Sequence, residues 1–145
     1  MNLDGNDDAN LFWTEVRVRY GETDQMGVVY HANYLIYIEI GRTEFIRDRL
    51  GATYRELEHQ GIRLPVVEAA LNFRSAASYD ELLRVGTQLT QVSGVRLRFD
   101  YVVRSEADDR LLAEGHTVLA CVDENGQPQR IPEDLRQKLV RIERD

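Results

Sequence analysis

The chain has 145 residues, of which 43% are hydrophobic and 30% are charged, so it is long enough for one compact domain but short for two. Its formal net charge of −7 argues against binding to nucleic acids and anionic membranes, although a local basic patch could still bind a phosphorylated small molecule. A single cysteine, Cys121, excludes an internal disulfide, and no apolar run is long enough to cross a bilayer, so we expect a cytoplasmic protein.

The two ends of the chain differ in character. Residues 1–10 are polar and acidic, and we expect them to form a disordered tail without the basic and apolar regions of a signal peptide. Residues 11–145 contain neither a repeat nor a low-complexity linker, which predicts a single domain. The three histidines, His31, His59 and His116, are too widely spaced to match a metal-binding pattern. We therefore predict that the protein holds no metal.

The first predicted element is a strand from Phe12 to Tyr20. Between Glu15 and Tyr20 charged and apolar side chains alternate, and this period of two is typical of a strand with one face in water. A polar loop follows from Gly21 to Met26 and ends at Gly27. The sequence therefore predicts a strand that leads directly into a polar loop.

The clearest helix runs from Asn33 to about Leu50, because this segment contains many strong helix formers. Its first half, Tyr34 to Ile40, is apolar almost all the way round, which predicts burial on most sides rather than one buried stripe. Gly41 costs this helix about 1 kcal/mol relative to Ala, and close packing against a neighbouring backbone would offset that cost. A shorter helix is predicted from Thr53 to His59.

The rest of the chain consists mostly of strands separated by turn residues. The predicted strands are 65–74, 82–92, 95–101 and 111–122. Asn125-Gly126 is a strong hairpin signal, and Pro132 suits the first turn of an amphipathic helix that ends the chain. Together these elements predict an α+β fold in which an antiparallel sheet curls around one long helix, with a further helix at the C-terminus.

Asp24 lies in the polar loop, seven residues before His31 and close to the predicted start of the long helix. The first N–H groups of a helix lack intrahelical partners and carry positive dipole, so they can polarise a carbonyl or hold an oxyanion. A turn at Gly27 would return Asp24 toward these groups. A carboxylate beside an oxyanion site is the minimum apparatus for acyl transfer, although an aspartate before a helix is also common as a capping residue.

The stretch from Val18 to Tyr34 reads VRYGETDQMGVVYHANY and resembles the signature of the 4-hydroxybenzoyl-CoA thioesterase family. Within that family the chain is most similar to the acyl-CoA thioesterases associated with the Tol–Pal cell-envelope complex. The similarity covers nearly all of residues 14–140 and continues through Glu39, Arg42-Thr43-Glu44, Asn72-Phe73-Arg74, Ala113-Glu114-Gly115 and Arg130-Ile131-Pro132. The resemblance implies the hotdog fold and a homodimer or homotetramer with active sites at the dimer interface.

The resemblance also implies roles for individual residues. Asp24 corresponds to the family's catalytic aspartate, which acts as a nucleophile or as a base for water. The backbone N–H of His31 corresponds to the donor to the thioester carbonyl, and its side chain would help to orient Asp24 or water. Tyr30 and Asn33 would frame the acyl group or fix the loop. The expected activity is hydrolysis of an acyl-CoA, or of an acyl-carrier-protein thioester, with coenzyme A present only as part of the substrate and no other cofactor.

Three further residues are candidates for substrate binding. Arg74 and Ser75 fall where the family often contacts the coenzyme, but the family's common Arg-Pro-Ala is Arg-Ser-Ala in this chain. Arg74 is explained equally well as a solvated charge at a strand end. Glu39 lies on an otherwise apolar helix, where it is either a second catalytic carboxylate or the partner of Arg42 in a structural ion pair.

Two other functions stay open on the sequence alone. A non-catalytic acyl-CoA-binding hotdog module would bind the ligand without turnover, and the intact motif around Asp24 argues against it. A hotdog hydratase or dehydratase would pair a histidine with a carboxylate in a different constellation, which the sequence does not contain. Cys121 lies in an apolar strand without an identifiable base partner, which predicts a buried, inert thiol rather than a nucleophile.

Overall fold

The computed structural model describes residues 10–145, so the tail predicted at residues 1–10 lies outside the described residues except for Asn10. The helices and strands are β1 Phe12–Arg17, α1 Asn33–Phe45, α2 Tyr54–His59, β2 Val66–Phe73, β3 Leu82–Val92, β4 Arg96–Ser105, β5 Leu111–Ala120 and α3 Glu133–Arg144. Within residues 10–145, no helix combines the length and the apolar character needed to span a membrane.

The five strands form one antiparallel sheet in the order β1-β3-β4-β5-β2. The helix α1 lies against one face of this sheet and contacts β1, β3 and β4. Alternate side chains of β4, among them Phe99 and Tyr101, share a single buried core with α1. The predicted α+β arrangement is confirmed, and β1 and β2 form the two edges of the sheet.

Helix α1 buries one face rather than most of its surface. Its buried residues recur every three or four positions, as expected for one helix face, and are Tyr34, Tyr37, Ile38, Gly41, Arg42 and Phe45. The side chains of Leu35, Ile36 and Ile40 remain exposed. The prediction of a helix buried on most sides is therefore wrong for a single chain, because the sheet covers only one side of α1.

Gly41 allows α1 to approach β3 closely. A Cβ atom built at Gly41 would lie 2.7 Å from Val85 Cγ1 and 2.8 Å from Thr87 Oγ1. The predicted close packing is present, but the neighbours are two side chains of β3 rather than a backbone. Beyond Phe45 the helix continues as a π-helical turn at Ile46–Leu50, and Gly51 ends it in the left-handed conformation with a φ of 71°.

Arg42, in the middle of α1, is buried among hydroxyl groups. Its Nε donates to the hydroxyl of Tyr54 at 3.0 Å, and its Nη1 donates to the hydroxyl of Tyr101 at 3.2 Å. The Tyr101 hydroxyl in turn lies 2.6 Å from Thr117 Oγ1. These bonds join α1 to α2, β4 and β5. The suggested ion pair between Glu39 and Arg42 does not form, because the guanidinium turns inward to these hydroxyls while Glu39 stays exposed.

Several element boundaries differ from the predicted ones. β1 ends at Arg17 rather than Tyr20, because the chain then enters a 3₁₀ turn at Tyr20–Glu22. β4 extends to Ser105, four residues past the predicted end at Tyr101, because its pairing with β3 and β5 continues that far. The predicted turn at Asn125-Gly126 is confirmed, since the Gly126 N–H donates to the Asp123 carbonyl at 3.0 Å.

Candidate active site

Asp24 lies in a tight hairpin that reverses the chain between β1 and α1. Its N–H donates to the Val28 carbonyl at 2.8 Å, and its carbonyl accepts from the Gly27 N–H at 3.0 Å. Thr23 and Val29 form an antiparallel bridge at the base of this hairpin. Gly27 has a φ of 81°, a conformation that favours glycine, and it therefore permits the tight reversal. The turn expected at Gly27 is present.

The Asp24 side chain is held at one oxygen and free at the other. Its Oδ1 accepts a hydrogen bond from the Met26 N–H at 2.9 Å, as in an Asx turn. No other group among residues 10–145 donates to this half-buried carboxylate. Asp24 can therefore present its second oxygen to water or to a bound molecule.

The hairpin is fastened on two sides. Toward α1, the main-chain carbonyl of Glu22 accepts from the Tyr30 N–H at 2.9 Å and from Asn33 Nδ2 at 2.8 Å. Toward the segment after β2, the Val29 N–H donates to the Ala77 carbonyl at 2.8 Å. The loop that carries Asp24 is thus anchored to the start of α1, and the side chain of Asn33 contributes directly.

The segment before α1 supplies backbone donors. α1 begins at Asn33, two residues later than His31, and the turn that leads into it uses the carbonyls of Tyr30 and His31 as acceptors. In the described part of the chain, the N–H groups of His31 and Ala32 donate to no protein acceptor. Unpartnered N–H groups at a helix start carry partial positive charge, so they can polarise a carbonyl oxygen or stabilise an oxyanion.

The His31 side chain packs among aromatic rings. Its ring centre lies 4.5 Å from that of Tyr30 and 6.0 Å from that of Phe73. Across residues 10–145 the imidazole makes no hydrogen bond to Asp24, whose carboxylate accepts from the Met26 N–H instead. Tyr30 and Phe73 are both about half exposed. These rings provide apolar surface beside the His31 N–H, while an orienting role of the imidazole toward Asp24 stays a prediction.

Arg74 and Ser75 tie the end of β2 to β5. The Arg74 guanidinium donates to Glu114 Oε1 at 2.7 Å and 3.0 Å, and the Ser75 hydroxyl donates to the Leu111 carbonyl at 2.5 Å. The Arg74 side chain is still 54% exposed, so it could reach a phosphate only by sharing or leaving Glu114. Coenzyme binding by these two residues stays a prediction.

Glu39 is exposed on the outer face of α1, away from the sheet. It lines a shallow pocket of about 220 Å³ together with Ile36, Ile40, Thr43 and Glu44. The structure therefore does not bring Glu39 into the Asp24 hairpin of the same chain.

Among residues 10–145, no three His, Cys, Asp or Glu side chains lie close enough together to hold a metal ion.

Glu22 and Tyr37 support the Asp24 hairpin, and neither residue is predicted as a site residue from the sequence. Glu22 is only 7% exposed, and its Oε1 accepts from the Tyr37 hydroxyl at 3.0 Å. Tyr37 lies 15 positions later and is fully buried. The sequence shows that Glu22 lies two positions before Asp24. Only the structure shows that the hairpin folds back so that the Glu22 carboxylate contacts Tyr37 of α1.

The sequence matches the thioesterase-like superfamily over residues 18–139. The chain belongs to this family. The acyl-CoA thioesterase YbgC of Haemophilus influenzae is 37% identical over 114 residues, which are 79% of this chain and 82% of the relative. The acyl-CoA thioester hydrolase YbgC of Escherichia coli O157:H7 is 30% identical over 128 residues, which are 88% of this chain and 94% of the relative.

A solved thioesterase-family structure is also similar along most of the chain. The DHNA-CoA thioesterase from Staphylococcus aureus superimposes with a TM-score of 0.86 at 31% sequence identity, covering 92% of this chain and 91% of that chain. The predictions of a hotdog fold and of membership in a thioesterase family are therefore confirmed.

Proposed function

We propose that this protein hydrolyses an acyl-CoA to the free acid and coenzyme A, with Asp24 as the catalytic carboxylate. The named thioesterases among its relatives support the reaction class, and YbgC supports acyl-CoA as the substrate. The observation that carries the assignment is a hairpin that leaves one carboxylate oxygen of Asp24 unbonded and is anchored to the start of α1, where the N–H groups of His31 and Ala32 have no acceptor among residues 10–145.

Two routes are consistent with this arrangement. As a base, Asp24 would take a proton from water while the water oxygen attacks the thioester carbon and the C–S bond breaks. As a nucleophile, its free oxygen would form a mixed anhydride with the acyl group and release the thiolate, and water would then hydrolyse the anhydride. The N–H groups of His31 and Ala32 would stabilise the carbonyl oxygen in both routes.

One carboxylate and two backbone N–H groups are sufficient for this reaction because the leaving group is a thiolate. A thiol has a pKa near 8.5, so its thiolate leaves without a strong general acid. The proposed reaction consumes water and needs neither a metal nor a redox cofactor. We place it in the cytoplasm, a prediction that agrees with the single cysteine, Cys121, being buried and free.

The proposal is tested by incubating the purified protein with short, long and aromatic acyl-CoAs, and with an acyl-carrier-protein thioester, in the presence of a thiol-trapping dye. We expect at least one substrate to release thiol far faster than its uncatalysed hydrolysis. Binding of acyl-CoA without turnover by the wild-type protein would instead favour the non-catalytic acyl-CoA-binding module.

We further propose that two copies of the chain associate through α1 and β2. Leu35, Ile36 and Ile40 leave an apolar stripe exposed on the outer face of α1. β2 is an edge strand, and Val66 and Val67 on it are 44% and 51% exposed. Large exposed apolar side chains and an unpaired strand edge mark surfaces that proteins usually cover. A second copy supplies a matching surface.

We expect Val67→Asp to convert the wild-type oligomer into a monomer in size-exclusion chromatography with light scattering, because it places a charge on the exposed apolar edge that Val66 and Val67 form at the start of β2. Val95→Asp is the matched control, since Val95 is 42% exposed but lies in the turn between β3 and β4. A wild-type protein that is monomeric at micromolar concentration would contradict the proposed association.

A further inference from the structure

Glu22 connects three parts of the site through its backbone and its side chain. Its carbonyl accepts from Tyr30 and from the side chain of Asn33, and its carboxylate accepts from the Tyr37 hydroxyl. All three partners lie in or just before the first two turns of α1, and Glu22 is only two residues from Asp24. The position of Asp24 relative to the helix start therefore depends on contacts made by Glu22.

The two oxygens of the Glu22 carboxylate have different partners. Oε1 accepts from the Tyr37 hydroxyl at 3.0 Å and from the Arg19 N–H at 2.8 Å. Within residues 10–145, Oε2 accepts only from the Arg19 guanidinium, at 3.1 Å and 3.2 Å. The Arg19 side chain is 79% exposed, so this ion pair is screened by water and contributes little. Oε1 is thus the side-chain atom of Glu22 that joins the hairpin to α1, in addition to the bonds that its main-chain carbonyl makes to Tyr30 and Asn33.

The environment keeps this carboxylate ionised. Burial by itself would raise the pKa of Glu22, but the hydrogen bonds from the Arg19 N–H, the Tyr37 hydroxyl and the Arg19 guanidinium outweigh it and lower the pKa below its usual value. A buried, charged acceptor makes stronger hydrogen bonds than a neutral one, so the link to Tyr37 is held at neutral pH.

We propose that Glu22 is a positioning residue, whose Oε1 holds the Asp24 hairpin against the start of α1 so that Asp24 and the N–H groups of His31 and Ala32 can act on one thioester. The role rests on the proposed thioesterase function. Glu22 itself does not touch the reacting atoms. Removing the carboxylate leaves the Asp24 side chain and the main-chain bonds of Glu22 in place, but it takes away one of the contacts that hold the hairpin against α1. A displacement of about 1 Å at a reacting group can cost about 100-fold in rate.

The first test measures hydrogen exchange and needs no substrate. The amides of Asp24 and Tyr30 report on the hairpin, because they donate to Val28 and to Glu22 itself. We expect them to exchange roughly tenfold faster in Tyr37→Phe, since a buried hydrogen bond to the hairpin is lost. Tyr34→Phe is the matched control, because it removes a hydroxyl from the same buried helix face without touching Glu22, and exchange should stay unchanged.

The second test separates kcat from KM. Glu22→Gln keeps an oxygen for the Oε1 partners but loses the charge of the carboxylate and the exposed guanidinium contact, so it should retain a clearly larger share of the wild-type kcat than Glu22→Ala. Glu22→Ala removes both oxygens, and we expect kcat to fall on the order of 10- to 100-fold with a much smaller change in KM. A merely structural role would not produce a loss in kcat that the glutamine variant rescues.

The outcomes distinguish this proposal from the proposed function. If the wild-type protein turns over acyl-CoA and Glu22→Ala keeps the full kcat, the positioning role is overturned and the thioesterase assignment stands. Wild-type exchange rates at Asp24 and Tyr30 in Tyr37→Phe overturn it as well, whether or not any substrate is hydrolysed. If Glu22→Ala does not fold, hydrogen exchange in Tyr37→Phe is sufficient to test the positioning role.

Discussion

Asp24→Asn is expected to lower kcat for acyl-CoA hydrolysis by about 10²- to 10⁴-fold, the range associated with loss of a positioned catalytic base. Asparagine keeps an oxygen that can accept from the Met26 N–H, so the Asx turn and the hairpin should persist. What it loses is the charge and basicity of the second oxygen. The thiol-release assay on purified wild-type and variant proteins measures the effect directly.

Two further variants test whether the loss of kcat is specific to Asp24. Asp48→Asn, on an exposed part of the π-helical turn, makes the same chemical change away from the hairpin and should leave kcat unchanged. Glu39→Gln tests the second candidate carboxylate. If Glu39→Gln abolishes turnover while Asp24→Asn does not, Glu39 rather than Asp24 is the catalytic carboxylate. The active site would then lie on the outer face of α1, the surface that we propose contacts a second copy of the chain.

Gly41→Val is expected to lower the free energy of unfolding by about 3 kcal/mol, near the upper end of the range for overpacked cores. A Cβ alone would approach Val85 Cγ1 to 2.7 Å and Thr87 Oγ1 to 2.8 Å, and valine adds two methyl groups. Glycine and valine are both poor helix formers, so propensity contributes little to the difference. Urea unfolding followed by circular dichroism measures the effect.

The control for this overpacking is Gly21→Val, because a Cβ at Gly21 meets nothing within 4 Å. It should change the free energy of unfolding by no more than about 0.5 kcal/mol, as for most exposed positions. Adding Val85→Ala to Gly41→Val should recover part of the loss, since it removes the atom closest to the new side chain. A double variant no more stable than Gly41→Val would show that this contact is not the cause.

The fold was largely predictable because its signals are local. The period of two near Glu15, the helix formers from Asn33 onward and the turn at Asn125-Gly126 each act over a few residues, and the structure places a strand, a helix and a turn there. The exposed face of α1 was not predictable in this way. Apolar residues all round a helix indicate that every side is covered, but not whether the cover comes from the same chain.

The site was predictable only in part, because its contacts cross between segments. The position of Asp24 before a helix is visible in the sequence, and so is the glycine that reverses the chain. The burial of Glu22 against Tyr37 depends on the hairpin folding back on α1, and no spacing rule links two residues 15 positions apart. Whether Arg42 pairs with Glu39 or with the hydroxyls of Tyr54 and Tyr101 likewise depends on which face of α1 is buried.

The hydrogen bonds of Arg42 have a mechanical consequence for the other end of α1. Apolar contacts are non-directional, whereas the Arg42 guanidinium can reach the hydroxyls of Tyr54 and Tyr101 at only one axial position of the helix. Asn33 lies nine residues earlier, about 13 Å along the axis at 1.5 Å per residue. Arg42 therefore helps to fix the axial position of α1 relative to the sheet, and with it the position of the His31 and Ala32 N–H groups at the start of the helix.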